Sequence, residues 1–547
     1  MFRTRVGNHH GGLFISFWGS WSAHLILASM VFLPGLACSQ AGQTTDPYAR
    51  WQAFIANHNK DKFDYLIRGA QVVDGTGAVP YAADLLVQGS VIAFVGPVPE
   101  ESGMNVHIID AHGKYLTPGF IDAHAHGNPL KEDAFVNFLA MGVTTVCLGQ
   151  DGTSPMYDDL REWFTQVEQV PQCINTAPMV GHGTLRVLSG IQYSNSPEPD
   201  ALNRMIELLD DALNAGCFGL TTGLEYEPGG FADSLELIRL AKTVGKHHRL
   251  VMSHVRNEDD DALLASIDEL AQMGKYVPVQ VSHLKSVYGK GSGRAQEILS
   301  YLHQLRQSGI AITQDWYPYT ASYTGLSILF PPWAKPPNDY PTVVRQRKSE
   351  LLTFLHDKVL LRNGPAATLF GSGPYRGKTL DEAARQTGKS FEEILLELGP
   401  SGASAAYFIM DEDLQETLLL DSMTMICSDG SPDMFHPRGY GSFAKILGTY
   451  VRDRSLLTLA QAIRRMTGLP AGILRLPERG LIAPGYRADL VIFDLKEVMD
   501  NATFEQPHVL ASGFDYVFVN GVLAWHDQQL IGHGGELLRA KNQPRIK

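Results

Sequence analysis

Two histidines one residue apart carry the first chemical signal in this chain. In Asp122-Ala-His124-Ala-His126 the spacing puts both imidazoles, with Asp122, on one face of an extended strand. Imidazole is a good donor for zinc and related divalent ions, so the pair can hold one ion from neighbouring positions. Such a pair can also be a packed, satisfied feature of a core. Two more histidines, His254 in MSHVRNE and His283 in VSHLKS, end later apolar runs, and Asp429 in CSDGS ends another. Packing does not require ionisable residues at the ends of successive runs. A carboxylate beside an activated water can take a proton and later return it, and Asp429 is assigned that role.

The elements that position these residues repeat along the middle of the chain as apolar strand, polar loop and amphipathic helix. Eight strands are expected at 117–127, 143–152, 174–183, 217–226, 249–258, 277–286, 311–320 and 423–431. The alternation predicts an α/β fold with a parallel sheet and crossover helices. Strand ends that all carry chemistry favour a closed (β/α)8 TIM-like barrel over an open doubly wound sheet, because such barrels build their sites there. The Pro-rich stretch PPWAKPPNDYP (331–341) predicts an insertion near the barrel mouth, over about 326–365. The ends of the chain read differently. Short strands with Gly-centred turns fill Asp64 to Gly96 and return in ADLVIFD (488–494) and FDYVFVNGVLAW (514–525).

The 547 residues, 44% hydrophobic and 19% charged, can bury a large core and exclude disorder as the main state. The net charge of −13 lacks the basic footprint of a nucleic-acid binder, so no nucleic-acid partner is expected. Five cysteines without a C-x-x-C pair indicate neither a disulfide framework nor a zinc knot. Residues 1–37 carry Arg3 and Arg5, no acid, and an apolar run from Leu25 to Ala37 that is short for a membrane span. They read as a signal peptide, with Gly35-Leu36-Ala37 as the cleavage pattern. The expectation is export to the periplasm or beyond, with membrane contact only through a lipid anchor at Cys38. A non-cleaved anchor is the alternative.

The segments TPGFIDAHAHG, GVTTV, APMVGHGTLR, GLTTGLEYEPG, SHVRNEDD, VSHLK, YPYTAS, HPRGYGSF, TGLPA and GLIAPGYRADLVIFD give the chain a family likeness. It resembles the amidohydrolase superfamily, and within it the N-acyl-D-amino-acid deacylase (D-aminoacylase) group, from about Asp64 to Arg539. The resemblance implies a β-sandwich built from both chain ends beside the barrel. The expected parts are then 63–116 and 476–540 for the sandwich and 117–475 for the barrel.

The resemblance also implies a divalent metal, zinc first, as one or two ions on His124, His126, His254, His283 and Asp429. One position departs from the pattern. Where the group has a cysteine ligand in G-N-C-G, this chain has Gly149-Gln150-Asp151-Gly152, so Asp151 takes the cysteine's place. A carboxylate can still bind or bridge ions, and it shifts preference somewhat toward manganese or iron. Cys147 lies four residues earlier and is not that ligand. Glu225 is the alternative carboxylate; the carboxylated lysine of many amidohydrolases has no counterpart on that strand.

For the substrate, the resemblance implies Lys285 and Tyr226 on its carboxylate. Tyr317, Tyr319 and Ser322 are expected to line the pocket, and Arg438 to complete an anion site. Tyr440 and Gly441 shape the loop of Arg438. His182 and Arg186 match a family segment without a readable role.

The reaction implied is hydrolysis of the amide of an N-acyl-D-amino acid, a small-molecule substrate. Three readings remain beside it. They are another amidohydrolase reaction, on a dipeptide or a cyclic amide, a catalytically silent barrel that binds or assembles, and an exported protein with a protein partner.

Overall fold

The computed structural model describes residues 46–58, 61–100 and 103–541. The leader expected over 1–37, and Cys38, lie outside the described residues. Among the described residues no helix is long and apolar enough to cross a membrane.

Eight parallel strands form the barrel. They are β1 (Phe120–Asp122), β2 (Val143–Leu148), β3 (Asn175–Pro178), β4 (Gly219–Gly223), β5 (Leu250–His254), β6 (Val279–Val281), β7 (Ile312–Trp316) and β8 (Thr424–Ile426). Strands β2 to β5 are buried at every position, as strands covered on both faces must be. β1, β2 and β3 pair in order, and so do β4 to β8. The Phe218 N–H donates to Pro178 O at 2.8 Å and joins β3 to β4. Closure comes from β8 meeting β1: the Asp429 N–H donates to His124 O at 2.9 Å and the His126 N–H to Gly430 O at 2.8 Å.

The crossover helices bury an apolar stripe. In Pro199–Ala215 the buried side chains Met205, Leu208, Leu209, Ala212 and Leu213 follow helical spacing. Proline opens that helix, and Gly216, at φ +122°, ends it.

The first strand is shorter than the run 117–127. Thr117 and Pro118 belong to strand Tyr115–Pro118 of the other sheet, where Pro118 faces Leu490. Regular pairing stops at Asp122, and His124 and His126 sit just past the strand end. Asp122 does not join the histidines. Its Oδ1 accepts the N–H groups of His124 and Ser428, so it staples β1 to β8 instead.

The two chain ends do build one sheet of nine strands, spanning Tyr65 to Pro118 and Leu490 to Leu530. Ile67, Leu85, Ile92, Leu116, Leu490, Ile492 and Phe518 form its core. Strands Tyr115–Pro118 and Leu490–Phe493 join its halves in antiparallel register. The last residues, 535–540, leave this sheet. Leu537 bridges Thr176, and Leu538 and Ala540 pack into the barrel floor. The expected range 476–540 is therefore shared between sheet and barrel.

The insertion is larger than 326–365. Strands Ala321–Gly325, Thr368–Phe370 and Ser404–Phe408 form a separate antiparallel sheet. Helices Tyr340–Leu361, Leu380–Thr387 and Phe391–Leu398 accompany it, and this layer has its own core around Leu351, Leu355, Phe370 and Tyr407. Thr379 with Glu382, and Ser390 with Glu393, make capping boxes that open the last two helices.

Candidate metal centre

His124, His126, Asp151, His254, His283 and Asp429 come from the C-terminal ends of β1, β2, β5, β6 and β8, and the structure brings all six together. Asp151 is the hub. Its Oδ1 lies 3.4 Å from His124 Nε2 and 3.2 Å from His283 Nε2, and its Oδ2 lies 3.5 Å from His126 Nε2. Asp429 Oδ1 is 3.2 Å from His126 Nε2 and 3.8 Å from His124 Nε2. Two donor groups share Asp151, one with His124, His126 and Asp429, the other with His254 and His283.

Three of these residues hold left-handed backbone: Asp151 at φ +53°, His283 at +37° and Asp429 at +49°. Such conformations are unfavourable for residues with a side chain and persist where the surroundings enforce them. Here they turn three strand ends so that the side chains converge.

The donor set fits a divalent cation. Among the described residues neither ring nitrogen of buried His124 has a hydrogen-bond partner, which is costly unless something else satisfies them. Ligands about 2.1 Å from a tetrahedral ion stand roughly 3.4 Å from one another, and the spacings here match. His126 and His283 are drawn up to about 9 and about 10. Burial opposes this, and for His283 so does Lys285; the Asp151 and Asp429 carboxylates outweigh both. Burial would raise the Asp429 carboxyl, but Arg438 and the imidazoles hold it far below the usual range. Arg438 forms a 2.8 Å ion pair with Asp429 Oδ2. Cys147 is buried beside the site with its thiol pushed up by burial, and its sulfur accepts from Gln150.

Glu225 is also present, with Oε2 2.9 Å from His254 Nε2, on the side of that ring away from the other imidazoles. The hub position belongs to Asp151.

Around the donors lies a cavity of about 400 Å³ whose wall includes Tyr226, Lys285, Ser322 and Arg438. The Tyr226 ring packs 4.5 Å from that of His254. Lys285 is not a free cation: its ammonium is 2.7 Å from Glu258 Oε1 and 2.8 Å from His283 Nδ1. Tyr317 and Tyr319 do not line the cavity. The Tyr317 ring lies beneath Arg438 at 4.9 Å and Lys285 at 5.9 Å. Tyr319 is buried against His436 and Lys445. His182 and Arg186 lie outside the donor set, both bound to Glu236. Arg438, Tyr440 and Gly441 belong to the helix Arg438–Lys445 rather than to a loop, and the Tyr440 hydroxyl donates to Pro432 O.

Four further residues of the site escaped the sequence reading. Glu258, four residues after His254 in SHVRNE, meets His283 Nδ1 at 3.3 Å as well as Lys285. Asp315, two residues before Tyr317, accepts the His283 N–H at 2.6 Å and faces His124 Nδ1 at 3.9 Å. Strand alternation placed Asp315 on the inward face and was the signal available for it. Arg362 and Tyr323 reach the cavity from the insertion, and no local pattern in the sequence announces them.

Fold and site together define a metal-dependent hydrolase of the barrel type. A model of the Amidohydrolase family matches residues 421–524. A D-aminoacylase of Alcaligenes xylosoxydans xylosoxydans is 31% identical, over 88% of this chain and 99% of its own. An N-acyl-D-glutamate deacylase of the same organism is 31% identical, over 88% and 97%. Among solved structures, the N-acyl-D-glutamate deacylase of Bordetella bronchiseptica, with zinc and a phosphonate mimic of the tetrahedral intermediate, superposes with a TM-score of 0.77. It is 31% identical and covers 88% of this chain and 100% of that one. A D-aminoacylase structure gives 0.75 at 33% identity, over 87% and 100%. The chain belongs to the D-aminoacylase family of amidohydrolases.

Proposed function

We propose that the protein is a metal-dependent deacylase that hydrolyses N-acyl-D-amino acids to a carboxylic acid and a free D-amino acid. The observation that carries this is the convergence of four imidazoles with Asp151 and Asp429 in one cavity that also holds Lys285 and Arg438. Zinc, as one or two ions, is the cofactor that suits the donors; when bound it polarises the amide carbonyl and makes water a nucleophile near neutral pH.

The chain's own residues supply the rest. Asp429 takes the proton of the attacking water and delivers it to the leaving nitrogen. Arg438 occupies Oδ2 of that carboxylate, which leaves Oδ1 facing the imidazoles. Glu258 holds Lys285 and orients His283. Arg438, Tyr226 and Ser322 receive the substrate's carboxylate, with Lys285 adding its charge from beside Glu258, and thereby select the productive enantiomer. Asp315 fixes the backbone of His283.

Two arginines followed by an apolar run support export, with Cys38 as the attachment point for a lipid.

The test is protein stripped of metal by a chelator and reloaded with zinc. It is offered N-acetyl-D- and L-amino acids, dipeptides and hydantoins. Restored hydrolysis of the D-acyl compounds is the expected result. Preference for a hydantoin or a dipeptide would sink this reading.

A further inference from the structure

The donors open on two sides that differ in charge. One side is the cavity whose wall is charged, with Lys285, Arg438 and Arg362 beside the carboxylates Glu225, Glu258 and Asp259. The other is a second cavity of about 510 Å³ that shares His126, Gln150 and Thr153 with the first. The two therefore meet at the donors. Among the described residues no Lys, Arg, Asp or Glu side chain lines the second cavity. Leu130, Leu148, Met156, Tyr157, Trp163 and Met179 form its apolar wall, and the uncharged Asn128, Gln150, Thr153 and Ser154 complete it. Leu148, Trp163 and Met179 are buried, and Met156 stands 56% exposed.

We propose that this second cavity receives the acyl chain, and that the enzyme prefers extended acyl groups, about eight carbons long, over acetyl. The proposal rests on the deacylase reading. Hydrolysis requires the amide carbonyl at the donors, so the two halves of the substrate leave that point in different directions. The amine half bears a carboxylate. Burying it among uncharged walls is costly without a partner, and among the described residues Lys285, Arg438 and Arg362 line the other side. The acyl half is left with the apolar side. Two of the polar side chains there are bonded within the chain: the Tyr157 hydroxyl donates to Gln166 and Asn128 Oδ1 accepts the Leu130 N–H; Gln150 Oε1, at the edge shared with the first cavity, has no hydrogen-bond partner among the described residues. What remains is apolar contact. The volume is that of a small-molecule pocket, about 300–1,000 Å³, far more than a single methyl group fills.

The experiment uses zinc-loaded protein and a series of formyl, acetyl, butyryl, hexanoyl and octanoyl derivatives of one D-amino acid that it hydrolyses. Burial of each methylene should raise kcat/KM roughly twofold to fourfold. Met156→Glu, at an exposed position, should lower the octanoyl-to-acetyl ratio of kcat/KM about tenfold, and Met156→Leu should restore it. A series that is flat or falls beyond acetyl overturns the acyl site while leaving the deacylase reading standing. So does a ratio that Met156→Glu does not move. Failure to hydrolyse any N-acyl-D-amino acid overturns both.

Discussion

Two buried clusters in the barrel use the same side-chain types to opposite ends. His182, Arg186 and Glu236 form one, and the metal donors with Arg438 form the other. In the first, Glu236 is 2.7 Å from His182 Nε2 and 2.6 Å from Arg186. Those are direct contacts, with no room for an ion between them. Around Asp151 and Asp429 the imidazole-to-carboxylate distances run from 3.2 to 3.9 Å, and neither nitrogen of His124 has a hydrogen-bond partner among the described residues. The first cluster ties the helix His182–Leu188 to the start of the helix Ser234–Lys246. It closes on itself and holds structure. The second is spaced for something in its middle.

The largest effect that could break this contrast is at Asp429. Asp429→Asn, assayed at saturating zinc, should lose at least about 10²-fold in kcat/KM, since the carboxylate can no longer carry the proton. Full activity would remove Asp429 from the reaction. Glu236→Gln should act on stability instead. It leaves the Arg186 guanidinium buried without its counter-charge, which costs about 3–5 kcal/mol. A lower urea midpoint with an unchanged zinc stoichiometry is the expected outcome. Loss of zinc from this variant would show that the two clusters are not separate.

A smaller effect lies in the metal-free protein. His126 and His283 stand at about 9 and about 10 when folded, against about 6.5 when unfolded. Their raised values mean that the folded site binds protons more tightly than the unfolded chain does. The stabilisation is complete below about pH 6.5 and is lost as the pH rises through 9 to 10. Chelator-treated protein should therefore lose Tm progressively from pH 7 to 10, above which Asp151 and Asp429 face neutral imidazoles. Zinc-loaded protein should hold its Tm over that range, because the ion replaces the protons. Parallel curves for the two forms would refute the coupling.

The donors were legible in the sequence because a barrel needs little more than strand ends to place them. His124, His126, His254, His283 and Asp429 each close an apolar run, and parallel pairing brings those runs into register. What the sequence hid depends on distance across the fold. Glu258 neutralises Lys285 from another strand end, so the lysine looked like a free cation. Tyr317 and Tyr319 share a strand end with the pocket, yet their rings turn beneath the cations and into the core. The insertion was underestimated because its strands pair over long separations, Ala321–Gly325 with Ser404–Phe408. Only the capping motifs of its helices are local.

The smallest predicted change concerns the position where the chain departs from its group's pattern. Asp151 presents two oxygens, Oδ1 toward His124 and His283 and Oδ2 toward His126. A thiolate would offer one softer atom at about 2.3 Å from zinc instead of about 2.0–2.2 Å for oxygen. Asp151→Cys should therefore keep zinc binding while discriminating more strongly against manganese, by about tenfold in the ratio of the two Kd values. The left-handed backbone at φ +53° is less comfortable for cysteine than for aspartate, so a modest loss of stability accompanies the exchange. An unchanged zinc-to-manganese ratio would mean that Asp151 is not a donor. The carboxylate role would then pass to Glu225, already 2.9 Å from His254 Nε2, and the hub of the site would move from the end of β2 to the end of β4.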